Sequence, residues 1–335
     1  MTGSTGETVP WSQLIKNAAG VQRWDENKTS VCARLFYYLR YSKYMQTIIV
    51  HSGNFHPDDV FAVATLQLHL GKENVQVIRS RDNEVIENGD WVVDVGGVYN
   101  PEKNRFDHHQ NGAPVRENGI PYAAFGLVWK QFGEAVSGSR EAADSIDERM
   151  AQQIDAGDNG ITLYSLNEHN VSPYELYNVV GSFRPVWGTD MTDDEAFLEA
   201  VDFARELLVR TIAHAQAGLK MKVLVQAGYE AAVEKEVLVY EESVSRNSFI
   251  EFDEVNVVVH PSESEGEERW KAVVIPKGYG TFENRVTFPA AWAGLRDAEL
   301  AAVSGIPDAI FCHKNCFLFV AKSKEGAMKA AEQAQ

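Results

Sequence analysis

Cysteine is scarce, with 3 in 335 residues, too few to build a disulfide framework. A reducing compartment is therefore expected. The cytoplasm is the first choice, with the mitochondrion or nucleus as alternatives in a eukaryote. No apolar run approaches the roughly 20 residues of a membrane-spanning helix. No apolar signal-peptide core stands near residue 1, and no membrane partner is expected. Positive charge is also short. Against 48 Asp+Glu there are only 31 Lys+Arg, for a net charge of −17. That excludes a basic coat binding nucleic acid over its whole surface. It does not exclude an enzyme that meets nucleic acid in one local groove. Apolar residues are plentiful at 44%, which supports a buried core and excludes global disorder.

The length suits about two domains of roughly 100–200 residues each. Residues 1–45 lack the periodicity of the rest and read as an N-terminal extension, with an aromatic-basic piece at Arg34–Tyr41. Residues 46–190 read as a catalytic domain. Gln46–His51, Val75–Ile78 and Trp91–Val95 are short β-branched or apolar runs typical of buried strands. An apolar-periodic helix opens at Asp58 or Asp59, and further helices are expected at 121–136, 146–157 and 173–181. Buried strands alternating with helices predict an α/β fold, a parallel sheet with helices on both faces. A connecting helix is expected over 191–221. Residues 222–335 carry strand-like runs separated by Pro and Gly turns, and predict a smaller C-terminal α+β domain.

The chemistry concentrates at the expected strand ends. His51-Ser52-Gly53-Asn54-Phe55-His56-Pro57-Asp58-Asp59 brings two imidazoles and a carboxylate into one strand-to-helix turn. Asp59 reads as a helix-capping residue. Asp94 ends a Val-rich strand, where an unpaired carboxylate would be costly. A carboxylate shared by two cations is the cheapest explanation. Asp107-His108-His109 and Ile154-Asp155-Ala156-Gly157-Asp158-Asn159-Gly160 add further ligand types. Of the last pair, Asp155 reads as a ligand and Asp158 as an orienting or capping residue. A mixed His/Asp set of this size can hold two divalent metals, the usual equipment for cutting a phosphate ester. Mn2+ suits imidazole-carboxylate ligation best, with Mg2+ as the second choice. Cys312-His313 and Cys316 lack a fourth zinc ligand and read as buried thiols in strands.

These four segments, His51–Asp58, Val93–Gly97, Phe106–Gln110 and Ile154–Gly160, fall in the order of the four motifs of the DHH phosphoesterase superfamily. More closely, the chain resembles the melanocyte proliferating gene family of metal-dependent 3′–5′ RNA exonucleases. The resemblance runs from about Thr47 to Ala331 and includes Trp292–Asp297 and Val303–Pro307. It implies a two-metal phosphodiesterase acting on RNA or short oligonucleotides. By that resemblance His51 and His56 would bind one metal. Asp58, His108 and Asp155 would bind the other, with Asp94 bridging. His109 would donate to a phosphate oxygen and Asp107 would orient the His pair.

The superfamily's Gly-rich strand-binding loop has no counterpart in Cys312–Ala321. The substrate contacts expected instead are Lys277, Arg285, Arg296 and Lys314. They stand in a region with 9 Lys+Arg against 6 Asp+Glu (269–335), just after one with 12 Asp+Glu against 2 Lys+Arg (230–268). Two alternatives remain open. One is a small-nucleotide or pyrophosphate phosphohydrolase, since a metal site does not choose substrate length. The other is a zinc amide hydrolase, suggested by the His56-Pro57-Asp58-Asp59 turn. That reading lacks the later pair of His one helical turn apart. A homo-oligomer is compatible with the sequence.

Overall fold

The computed structural model describes residues 45–264 and 266–335. The extension expected over 1–45 lies outside the described residues except for Met45. The chain divides into two compact units. One holds the residues up to Val136 together with Asp147–Leu208, and the other holds Ser137–Ile146 with Val209–Gln335.

The first unit is built on a five-stranded sheet. The β-branched run Thr47-Ile48-Ile49-Val50 lies in β1 (Gln46–Val50). Pro57, with its fixed φ and missing N–H, opens helix α1 (Pro57–Leu70). β2 (Val75–Arg79) follows. A short helix α2 (Asn83–Asn88) is capped by Asp82, whose carboxylate accepts from Glu84 N and Val85 N. β3 (Trp91–Val93), β4 (Tyr99–Asn100) and β5 (Arg105–Phe106) complete the order β2-β1-β3-β5-β4. Four strands are parallel and β4 is antiparallel at the edge. Ile48, Ile49, Val50, Val92, Val93 and Phe106 are all buried. Burial on both faces explains why these strands read as continuous apolar runs.

The expected 121–136 helix is α3 (Ala124–Ser137). It is followed by α4 (Arg140–Ile146). The expected 146–157 helix is interrupted: a π-turn over Asp147–Ala151 precedes α5 (Gln152–Asp158). α6 is Leu176–Gly181. The expected connecting helix is longer than its polar periodicity suggested. α7 runs from Asp193 to Ala231, and the division between the units falls inside it.

The second unit has its own sheet, from β6 (Val237–Val239), β7 (Val257–Ser264) and β8 (Glu267–Val274), then, after helix α8 (Asp297–Ser304), β9 (Ala309–Cys312) and β10 (Leu318–Ala321). Their order is β6-β7-β8-β10-β9, parallel only between β6 and β7. Alternation places Val257 and Val259 in one core with Trp270 and Phe319. Val258 and Val273 go to the other core with Leu238 and Phe249. Helix α9 (Lys324–Ala331) seals the first of these through Ala327 and Ala330. The unit is α+β, and the whole chain is mixed α/β. Among the described residues no helix is long and apolar enough to cross a membrane.

Candidate active site

Strand register assembles the site. Val50 pairs with Val93, and Val93 with Phe106. The next residue of each parallel strand is therefore His51, Asp94 and Asp107, side by side at the carboxyl ends. That edge is where open α/β sheets place their ligands. Asp94 N donates to Phe106 O at 3.1 Å, which extends the ladder by one step. Asp94 itself takes φ 54°, a left-handed conformation that costs a residue with a side chain about 1 kcal/mol or more. That twist turns its carboxylate into the site.

Asp94 presents one oxygen to each side. Its Oδ2 lies 3.2 Å from His51 Nε2, and its Oδ1 lies 3.2 Å from His108 Nε2. The start of α1 supplies the facing wall. His56 is the N-cap, and Asp59 returns a carboxylate oxygen to His56 N at 2.9 Å, closing a capping box. The other Asp59 oxygen stands 3.1 Å from His51 Nε2. Asp59 is thus both a capping group, as its sequence position suggested, and a site residue. Asp58, at the second helical position, is fully buried.

Asp158 reaches the same place from the last turn of α5, 3.2 Å from His108 Nε2. Asp155 does not. Its Oδ1 accepts from Gly126 N at 3.0 Å, and its Oδ2 lies 2.7 Å from Arg116 Nη1. A Cβ on Gly126 would sit 1.7 Å from Asp155 Oδ2, so only glycine permits this approach. The sequence favoured Asp155 over Asp158 as the ligand; the structure brings Asp158 to the cluster and seats Asp155 against Arg116. Arg116 is itself buried, bonded to Asp147 at 2.7 Å and stacked on Tyr122 at 3.9 Å. Burial pushes Asp155 up to about 7, against the pull of that guanidinium.

The Asp107 carboxylate accepts from Gly97 N at 2.5 Å and His109 N at 3.1 Å, and meets His109 Nδ1 at 2.7 Å. Gly97 donates from φ 68°, a conformation glycine adopts without cost. Asp107 is buried, whereas the His109 side chain is 61% exposed and faces the open cavity. The arrangement holds the imidazole by one nitrogen and leaves the other free to meet a ligand.

Three groups of side chains therefore could each hold a cation: His51, Asp59 and Asp94; His56, Asp58 and Asp158; Asp94, His108 and His109. Asp94 belongs to two of them. The electrostatics call for positive charge. Among the described residues neither Asp58 oxygen has a hydrogen-bond partner. Burial and the neighbouring charges of Asp94, Asp158 and Asp59 push its carboxyl well above the usual range. Burial works against charge on His51 and His108 too. The carboxylates facing them outweigh it and push both up to about 10. For Asp94 the burial cost is outweighed by the same two imidazoles, and its carboxyl falls to about 2. A buried carboxylate without a partner is expensive. Divalent cations among these His and Asp donors would remove the expense, so the residues present fit such ions.

The cavity over this cluster measures about 790 Å3 and is lined by His51, His56, Asp94, His109 and Asp158, among others. Among the described residues Arg81 is its one lining Lys or Arg. Arg81 follows β2, and its Nε donates to Ser52 O at 3.2 Å, while among the described residues neither Nη group has a hydrogen-bond partner. The sequence signal for it was faint: a polar turn, Ser80-Arg81-Asp82, that ends a strand. Three of the four cations expected from sequence have partners within the second unit. Arg285 donates to the carbonyls of Phe252, Val255 and Ile250 at 2.5, 2.7 and 2.6 Å, so its donors are committed to chain closure. Lys277 pairs with Glu283 at 3.3 Å. Arg296 stacks over Phe311 at 4.4 Å. Lys314 is exposed. Cys312 and Cys316 are buried free thiols, and burial pushes the Cys312 thiol up to about 12.

Comparison with known proteins adds three findings. The profile of the MYG1 exonuclease family, described as an uncharacterised protein family (UPF0160), matches residues 47–335. The chain is 30% identical over 321 residues to the MYG1 exonuclease of Mus musculus, covering 84% of this chain and 82% of that one. It is 29% identical over 314 residues to a MYG1 protein of Schizosaccharomyces pombe, covering 86% and 96%. Among solved structures it is similar to a pGpG-specific phosphodiesterase from Vibrio cholerae. The identity there is 12%, the TM-score 0.31, and the shares covered are 82% of this chain and 92% of that one. A score that low does not establish a shared fold.

Proposed function

The chain belongs to the MYG1 exonuclease family, and from that membership we propose that it is a hydrolase of phosphodiesters, a metal-dependent 3′–5′ exonuclease acting on RNA. The observation that carries the metal-dependent part is the Asp58 carboxylate, fully buried with neither oxygen hydrogen-bonded among the described residues, amid three more Asp and four His. The mouse relative's name carries the exonuclease part.

His51, Asp59 and Asp94 would hold one cation, and His56, Asp58, Asp158 and His108 the other, with Asp94 shared. Two divalent cations, when bound, supply a water of lowered pKa and neutralise charge on the phosphate. The ligand set suits Mn2+, with Mg2+ as the alternative. The protein's own part is positional. The capping box fixes His56 and Asp59 relative to each other. The strand register fixes His51, Asp94 and the Asp107 turn. Asp107 holds His109 by Nδ1 and favours its protonated form, in which Nε2 can donate to a phosphate oxygen. Arg81 would offer its two Nη groups to the same anion, in a cavity whose other charged lining residues are Asp94, Asp107, Asp158 and three His.

The test is cleavage of 3′- and 5′-labelled RNA, DNA, dinucleotides and pyrophosphate by purified protein with Mn2+. Stepwise release of mononucleotides from the 3′ end of RNA is expected. Hydrolysis confined to pyrophosphate or free nucleotides would replace the exonuclease with a small-nucleotide phosphohydrolase.

A further inference from the structure

Helix α5 has a second working face. Asp158 points into the metal-binding cavity, while Gln153 and Ile154 line another cavity of about 370 Å3. That volume lies within the roughly 300–1,000 Å3 of small-ligand sites. Tyr177 joins the two. It lines the second cavity, its hydroxyl lies 3.3 Å from both Asp158 Oδ1 and Ile154 O, and its ring is 6.5 Å from the His56 ring.

The other walls include two exposed tyrosines, beside Leu163, Pro173 and Glu175. Tyr164 is 37% exposed and Tyr174 74%. Tyr174 is held by its hydroxyl, 3.4 Å from Asn178 O, so little freedom would be lost on binding. Core packing does not explain this grouping, and exposed apolar clusters of that kind mark binding surfaces. Arg149 adds a planar cation with no partner among the described residues. It is presented by the π-turn Asp147–Ala151, a helix irregularity that occurs often at functional sites.

We propose that this cavity is a nucleobase subsite, holding the base of the nucleotide whose phosphate lies in the neighbouring metal cavity. The proposal rests on the phosphodiester reading above. Flat tyrosine rings stack on any base without reading its sequence, and Arg149 adds a cation that can lie over the base. Phosphate and base are joined by one ribose, and Tyr177 stands where that ribose would pass.

The experiment measures binding rather than turnover. Calorimetry of AMP, UMP and ribose 5-phosphate is run on the Mn2+-loaded full chain and on the double variant Tyr164→Ala/Tyr174→Ala. Both side chains are exposed, and among the described residues neither hydrogen-bonds or stacks with a residue of the proposed metal site. The wild type is expected to bind AMP and UMP about tenfold tighter than ribose 5-phosphate, the low end of base stacking. The variant is expected to bind all three alike, with ribose 5-phosphate unchanged. Equal binding of the three by the wild type would overturn the proposal, and so would a preference that survives in the variant. RNA hydrolysis run in parallel separates the two readings. A wild type that prefers nucleotides yet cleaves no phosphodiester keeps the subsite and loses the exonuclease.

Discussion

Arg116 Nη1 stands 2.7 Å from Asp155 Oδ2, one turn before the Asp158 that reaches the metal cluster. The pair gives two neighbouring acids of one helix different tasks. Asp155 is seated against Arg116 and Asp158 stands beside His108, so Asp158 is the one expected to meet a cation. Asp158→Asn is expected to cut metal occupancy and activity while leaving the melting temperature of the metal-free protein intact. Arg116→Ala leaves the buried Asp155 carboxylate without its countercharge and should cost about 3–5 kcal/mol of stability. Chemical denaturation with metal analysis reads both. Metal loss in Asp155→Asn with full occupancy in Asp158→Asn would reverse the assignment.

Asp94 belongs to two of the groups that could hold a cation, so its loss is expected to disturb both. Asp94→Asn should reduce cleavage below about one-hundredth of wild type, more than the loss usual for a residue merely behind a metal ligand. The strand ladder does not depend on the side chain, and the circular dichroism spectrum should not change. Near-normal rates in Mn2+ would remove Asp94 from the shared position.

His109 and Arg81 hold no cation in this account and should separate cleanly in kinetics. His109→Ala should bind metal normally and lower kcat by about 10²-fold, the scale of a lost transition-state donor. Arg81→Ala should raise KM by about tenfold, since a hydrogen bond to a charged group contributes about 1.5–3 kcal/mol. Arg81→Lys should recover part of it. An unchanged KM in Arg81→Ala would mean that the substrate phosphate never meets this side chain.

A pH effect is expected in the second unit. His260 is buried in β7, with its Nδ1 2.9 Å from Pro261 O and Lys271 as its cross-strand neighbour. Burial first, then the Lys271 charge, hold its pKa below the ordinary value, while the Pro261 carbonyl pulls the other way. The unfolded chain therefore takes up a proton near pH 6.5 that the folded chain refuses. The stability that neutral His260 contributes is complete above that pH and is lost as pH falls below it. Urea denaturation from pH 7.5 to 5 should show a shallower decline in His260→Gln than in wild type. Identical slopes would show that His260 is not involved.

Much of this was legible in the sequence because the sheet is parallel and buried. Its central strands announce themselves as apolar runs, and His51, Asp94 and Asp107 stand one step past them. Choosing between Asp155 and Asp158 needed a contact 39 residues away in sequence, from Arg116, and a close approach by Gly126. Spacing of three puts both acids near one helix face and cannot say which partner each meets. Asp59 was read as a capping residue, and it is one; its second oxygen is what sequence could not see. Arg81 stayed hidden because a single cation in a polar turn looks like solvated surface. Arg285 failed for the opposite reason. A cation in a basic region looked available, and three backbone carbonyls had already taken its donors. The two-residue strands β4 and β5 are shorter than any periodicity can register.

The most direct measurement is the number of Mn2+ bound per chain at saturation, taken on the same sample whose release of 3′-labelled nucleotides from RNA is followed as a chelator is added. Two ions per chain, with cleavage falling to background as they are removed and returning with fresh Mn2+, are expected. One tightly held Zn2+, or cleavage indifferent to the chelator, would contradict a two-cation site at the ends of β1, β3 and β5.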